Sequence, residues 1–185
     1  MPKTRFPSAT RAVALCVGLL AAATGSQAAG DKAAYDSAKA AARSTFDAAV
    51  ARCDGLAGHA KDLCIAEAKA ARMRSDARAE AAYQDTPKAR EQAADDLAEA
   101  DYTVARERCN ERAGNDKDVC IKVVKAALVH AKADAKARRI TVGARIDADE
   151  EKREADYKVA AEKCDALAGA AKSACIAEAK AKFGR

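Results

Sequence analysis

Three times along the chain two cysteines flank a glycine, each time with ten residues between them: "CDGLAGHAKDLC" (Cys53 to Cys64), "CNERAGNDKDVC" (Cys109 to Cys120) and "CDALAGAAKSAC" (Cys164 to Cys175). The match extends past the cysteines. Phe46, Tyr102 and Tyr157 stand seven residues before the first cysteine of each pair, and Ala49, Ala105 and Ala160 stand four before it. Asp54, Asn110 and Asp165 come directly after that cysteine, Gly58, Gly114 and Gly169 five after it, and Lys61, Lys117 and Lys172 eight after it. Ile65, Ile121 and Ile176 follow the second cysteine, and the units recur every 55 or 56 residues. An internal repeat constrains the architecture before any single element does, because each unit must be one supersecondary motif.

The spacing says which motif. An aromatic, an alanine and a cysteine at seven, four and zero residues upstream share one face of a helix. Glycine supplies the left-handed residue that commonly ends a helix. A second helix is then expected shortly after, with Asp62, Asp118 or Ser173 near its start, where a carboxylate suits the positive end of the helix dipole. Two antiparallel helices meeting at that turn would bring the cysteines side by side. The expectation is three disulfide staples, Cys53–Cys64, Cys109–Cys120 and Cys164–Cys175, on hairpins that turn at Gly58, Gly114 and Gly169. Six cysteines allow 15 pairings in principle, and the short symmetric loops favour the local set. Each such loop would contribute roughly 2–3 kcal/mol by constraining the unfolded chain. A metal or thiol-redox use is the weaker alternative. Zinc sites favour closer pairs, often with histidine, and the two histidines, His59 and His130, do not recur between repeats. The redox spacing, with two residues between the cysteines, and the haem motif Cys-x-x-Cys-His do not occur.

The chain opens with Lys3, Arg5 and Arg11, a short apolar run over residues 12–23 and the small-x-small triplet Ser26-Gln27-Ala28. This is the anatomy of a secretory signal peptide over residues 1–28, with cleavage near Ala28. The run is too short and too diluted for a spanning anchor. The whole chain carries 33 Lys+Arg against 28 Asp+Glu; without Lys3, Arg5 and Arg11 the balance is 30 against 28. The basic excess thus belongs mostly to the leader. The remaining charges alternate in sign, as in "RMRSDARAE" and "DADEEKREADYK". That is a solvated helix face, not the concentrated basic patch of a nucleic-acid binder.

Beyond the leader only 20 residues are Leu, Ile, Val or Phe, too few for a thick core. Alanine with Lys, Glu and Arg fills the rest, and these are strong helix formers. The expected fold is all-α, with about six helices at residues 31–57, 60–83, 87–113, 116–141, 146–168 and 171–183. They would form three disulfide-stapled antiparallel hairpins, coiled-coil-like, elongated or loosely bundled, over residues 29–84, 85–141 and 142–185. Thr86-Pro87 reads as an N-cap followed by proline in the first helical position. "RRITVGAR" (Arg138 to Arg145) is the second candidate break, although a helix could run through it. "VCIKVVKAALVHAK" (Val119 to Lys132) is the most apolar segment and is expected at the centre of the packing.

With its cysteine-glycine-lysine-cysteine units, "YKVAAEKCDALAG" (Tyr157 to Gly169) and the closing "AKAKF" (Ala179 to Phe183), the chain resembles a group of alanine-rich exported proteobacterial proteins with repeated cysteine hairpins. Many of these carry the label "cell envelope biogenesis protein TolA". The resemblance covers nearly all of the chain beyond the leader, and the composition is similar to the helical middle of TolA. It implies a place in the cell envelope and carries over no catalytic residue.

No glycine-rich phosphate loop or serine elbow appears, so the sequence reads as non-enzymatic, with no cofactor or metal. The first expectation is a periplasmic structural or interaction protein of the envelope, with a protein partner there, no nucleic acid and no stable membrane insertion after signal cleavage. The alternative is a periplasmic stress chaperone that binds unfolded clients, which would expose a concave apolar patch where a spacer would not. A thiol-redox or metal-binding protein is the less favoured third.

Overall fold

The computed structural model describes residues 30–185; the signal peptide expected over residues 1–28 lies outside them. Among the described residues the regular elements are all helical: α1 (Lys32–Cys53), α2 (Gly58–Gln84), α3 (Pro87–Cys109), α4 (Gly114–Lys163), a single 3-10 turn (Cys164–Ala166) and α5 (Gly169–Phe183). The disulfides are the three local ones, Cys53–Cys64, Cys109–Cys120 and Cys164–Cys175, with Cα–Cα distances of 5.8, 5.7 and 5.7 Å. Each staples two arms that run antiparallel. In the first hairpin Cys53 meets Cys64 at one end, while the Tyr35 ring stacks 4.8 Å from that of Tyr83 at the other.

Every helix touches only its neighbours in the sequence: α1 on α2, α2 on α3, α3 on α4, and α4 on α5. The result is an open array of hairpins, the elongated form of the expected fold. Its contacts are made mostly by alanine. Buried side chains include Ala66, Ala70 and Ala77 on α2 and Ala89, Ala93 and Ala100 on α3, and the central cluster is Ala70, Ala100 and Val104 with Leu63 and Met73 packed against it. An alanine methyl contributes only about 0.8 kcal/mol on burial. Close approach of the backbones replaces bulk, and the staples supply what burial does not.

The turns differ from the expected form in one respect. Gly58, Gly114 and Gly169 are left-handed, with φ of 55°, 54° and 55°, but they open the second helix instead of ending the first. The first arm stops at its cysteine in the first two hairpins and one residue before it in the third. The N–H groups of Leu56, Arg112 and Leu167 then donate back to the carbonyls of Cys53, Cys109 and Cys164 at 3.0, 3.1 and 3.0 Å. Ala57, Ala113 and Ala168 follow in extended conformation, and only a positive φ at the next residue swings the chain back. A Cβ at Gly114 would meet nothing within 4 Å, so backbone geometry alone demands the glycine. Because the second arms begin this early, Asp62 and Asp118 lie beyond the first turn, and Asp116 is the one acidic residue in the first turn of α4.

The larger difference is the fourth helix. Two helices were expected over residues 116–141 and 146–168; the structure has one, 50 residues long and therefore about 75 Å from end to end at 1.5 Å per residue. The hairpin boundary drawn between residues 141 and 142 falls inside it. The comparison with Thr86-Pro87 gives the reason. Asp85 takes a left-handed conformation (φ 44°), Thr86 caps α3 by accepting from the Ala89 N–H at 3.0 Å, and Pro87 begins the new helix. Fifty-five residues later the chain reads Thr141-Val142. Without the proline the helix continues, and the Thr141 hydroxyl donates to the Ala137 carbonyl at 3.0 Å instead of capping. One glycine, Gly143, costs about 1 kcal/mol, which does not break a helix that has no alternative turn at this point.

Candidate functional site

The repeat positions converge on the hairpin tips. In each pair the first cysteine is fully buried. Across the turn the Lys61 ammonium lies 3.4 Å from the Asp54 carboxylate, and Lys172 lies 2.9 Å from Asp165. This explains why an acidic residue and a lysine recur seven positions apart in the first and third units. In the second tip Asn110 replaces the aspartate and donates from its amide to Glu107 at 3.0 Å. Glu107 also faces the neighbouring tip: His59 Nδ1 lies 3.4 Å from it, and Nε2 lies 3.3 Å from Glu111. A single histidine therefore lies between the tips of the first two hairpins. As a residue unique to one repeat, it carried no sequence signal.

Away from the tips, ion pairs tie α1 to α2, α2 to α3 and α3 to α4. Lys39 meets Asp76 at 3.0 Å between α1 and α2. Arg74 meets Asp101 at 2.6 Å and Arg108 meets Glu67 at 2.9 Å between α2 and α3. Lys132 meets Glu99 at 2.6 Å between α3 and α4. The titration shifts follow from such contacts. The hydrogen bond to Glu99 raises the Lys132 ammonium, and Asp36 raises Lys32 in the same way. The Tyr35 hydroxyl donates to Glu80 at 2.8 Å; this raises the tyrosine and, with a second hydrogen bond from Gln84, lowers the carboxylate. All are surface pairs whose perturbation has a structural cause.

The segment Val119 to Lys132 is not the centre of the packing. Of all α4, only Ala135 is buried. Val124, Leu128 and Ala131 face α3 across a shallow groove that also holds Tyr102, whereas Val119, Val123 and Val129 are 51%, 62% and 56% exposed. The physical reason is that α4 has one neighbour along this stretch, so only one side of it can be covered. Ile140, Ile146 and Val159 are also more than half exposed. The groove has a single carboxylate, Asp101, on its rim.

Comparison of the chain with protein-family models, with curated proteins and with solved structures gives no match in any of the three. Among the described residues no group of three His, Cys, Asp or Glu side chains is placed to hold a metal ion, and no helix is long and apolar enough to cross a membrane. What the chain presents is a surface: stapled tips at known positions, charged flanks, and an apolar side of α4 that faces outward.

Proposed function

We propose that the chain is a non-enzymatic helical protein of the periplasm with a structural or interaction role in the cell envelope. The observation that carries this reading is the architecture itself. Hairpins are joined in an open array by a helix of about 75 Å, and apolar side chains are left outside along that helix. Such a body has surface in excess of core, and what it offers a partner is length and faces. The three disulfides fit an oxidising compartment outside the cytoplasm. The leader-like first 28 residues and the resemblance to exported envelope proteins favour the periplasm in particular.

The exposed valines of α4 favour one second reading, a chaperone for unfolded envelope proteins. Their setting argues for the scaffold, since they lie along one continuous helix with a single neighbour there instead of lining a concave patch. Crosslinking in living cells, followed by capture of the protein and mass spectrometry, separates the two. One discrete envelope partner at high occupancy supports the scaffold reading. A broad set of unfolded clients, enriched after heat or acid stress, replaces it with the chaperone. Capture of free cysteines by a thiol label in protein taken from cells would turn attention to a redox role.

A further inference from the structure

The outward side of α4 is the repeat of a side that is already buried elsewhere in the chain. Counting from the second cysteine of each unit, Val119, Ala126, Val129 and Ala133 stand where α2 has Leu63, Ala70, Met73 and Ala77. Leu63, Ala70 and Met73 form the seam that receives α3. Counting from the first cysteine, Ala155 and Val159 stand where α3 has Ala100 and Val104, the residues that enter that seam. The two halves of the α2–α3 interface are thus both present a second time, and both are open. Ala70 and Ala100 are 0% exposed and Val104 7%, while Val119 is 51% and Val159 57% exposed.

Both halves lie on α4. At about 100° per residue, Val119, Ala126, Ala133, Ala155 and Val159 fall along one side of it, opposite the side that Ala135 buries against α3. In the first two repeats the chain breaks at Thr86-Pro87, and α3 folds back on α2. At Thr141-Val142 it does not break, so the second half-seam is carried away from the first along one continuous helix. Within one copy the two cannot meet.

We propose that they meet between two copies: α4 of one chain packs antiparallel on α4 of a second, each supplying the half-seam that the other lacks. The register follows from the α2–α3 pair. It sets Val119 against Val159 of the second copy and Ala126 against its Ala155, with the two-fold axis close to Ile140, which is 52% exposed. Such a reciprocal exchange of an equivalent element closes on itself and stops at two chains.

Charge selects the same arrangement. From Cys120 to Ile146 α4 carries seven Lys or Arg and one Asp, and from Asp147 to Glu162 it carries seven Asp or Glu against three Lys or Arg. In this antiparallel register residues 120–132, with three Lys, lie along residues 147–159 of the second copy, with six Asp or Glu against three Lys or Arg, while the central residues 133–146 face their own copies across the axis; a parallel pair would oppose like charges over the whole length. Of the two Arg–carboxylate pairs between α2 and α3, Arg74–Asp101 falls at His130 and Asp156 in the repeat, and Arg108–Glu67 falls at Lys163 and Val123, so the second is not repeated. Lys122 and Lys152 depart from the pattern, replacing Ala66 and Leu97. Their aliphatic stems can lie along the seam with the ammonium groups outside it. The seam is about 60 Å long at 1.5 Å per residue. At roughly 10 Å wide it covers on the order of 600 Å² per copy, the size of a reversible dimer.

The test is the mass of the disulfide-intact protein by sedimentation equilibrium over a dilution series, submillimolar to micromolar. The expected result is a dimer that dissociates on dilution. Ala126→Arg with Val159→Arg, both at exposed positions, should give a monomer of unchanged helicity. Val142→Pro recreates the Thr-Pro break of the first repeat and should give a monomer of smaller hydrodynamic radius, because the third hairpin can now close on its own α4. Ala126→Cys and Ala155→Cys proteins should crosslink when mixed and not alone, the signature of the antiparallel register. A monomer throughout the series overturns the proposal, whether α4 bends to close on itself or another protein covers the seam. A dimer that survives the double arginine substitution overturns it as well.

Discussion

The third hairpin is the place where the staple and the packing can be weighed against each other. Its second arm, α5, has 15 residues, a length at which an isolated helix is marginal in water even when rich in alanine. It buries one side chain, Ala179, and touches only α4 and the short turn before it. The Cys164–Cys175 bridge spans 11 positions. Closing a loop of that size removes unfolded-chain entropy equivalent to about 3 kcal/mol. At 1.36 kcal/mol per tenfold change, its loss lowers the docking equilibrium of α5 on the order of 100-fold, and little burial is available to offset this. In the Cys164→Ser/Cys175→Ser protein, amide hydrogen exchange should show residues 169–183 unprotected and the first two hairpins unchanged. Far-UV ellipticity should fall by about a tenth, the share of helical residues in α5. The same pair of substitutions at Cys53 and Cys64 should cost less helix, because the arm it releases, α1, has 22 residues and is also held to α2 by Tyr35 on Tyr83 and Glu80 and by Lys39 on Asp76. If α5 amides stay as protected without the bridge as with it, packing holds this hairpin and the argument from a thin core is refuted.

Gly→Ala should act with opposite sign at two positions. At Gly114 (φ 54°) it imposes a left-handed alanine and should destabilise by about 1–2 kcal/mol, whereas at Gly143, inside α4 with open space around it, it should stabilise by about 1 kcal/mol; urea melts followed by circular dichroism read both. Thr86→Ala removes the oxygen that accepts from the Ala89 N–H and should cost about 1 kcal/mol, seen as faster exchange in the first turn of α3. The hydrogen bond from Tyr35 holds the Glu80 carboxylate below the ordinary glutamate range. Its contribution is therefore complete above that range and is lost as pH falls through the lower folded-state value. Tyr35→Phe should move the acid unfolding of the first hairpin to higher pH, with no change near neutrality beyond the lost hydrogen bond.

What the sequence disclosed was whatever depends on repetition. The three cysteine pairs, the three glycines and the Thr86-Pro87 break each recur or obey a strong local rule, and each stands in the structure where the spacing put it. The turn geometry was legible only in outline. That a left-handed residue is needed follows from the composition, but whether it ends one helix or opens the next depends on where Leu56 and its equivalents donate. The fate of Arg138 to Arg145 was undecided because the local signals conflict. β-branched residues and a glycine weaken a helix without replacing it by anything, and a break requires an alternative such as Thr-Pro. The exposure of Val119 to Lys132 was misjudged for another reason. Hydrophobicity says that a segment wants a neighbour, and only the topology says whether one is there.

That point bears on how the scaffold and chaperone readings can be told apart. The exposed valines of α4 favour the chaperone and their lie along one helix favours the scaffold, so the patch alone does not decide. The staples do. If the array works by presenting fixed faces, reducing the disulfides frees α5 and loosens the tips, and recovery of a discrete partner must fall. If it works by offering apolar surface to unfolded chains, reduction uncovers the alanine seams now held closed, and client capture must rise. The protein should therefore be incubated with a thermally denatured client and, separately, with envelope extract, before and after reduction. The sign of the change in each assigns the role: loss of the discrete partner with no gain in client binding upholds the scaffold, and a gain in client binding refutes it.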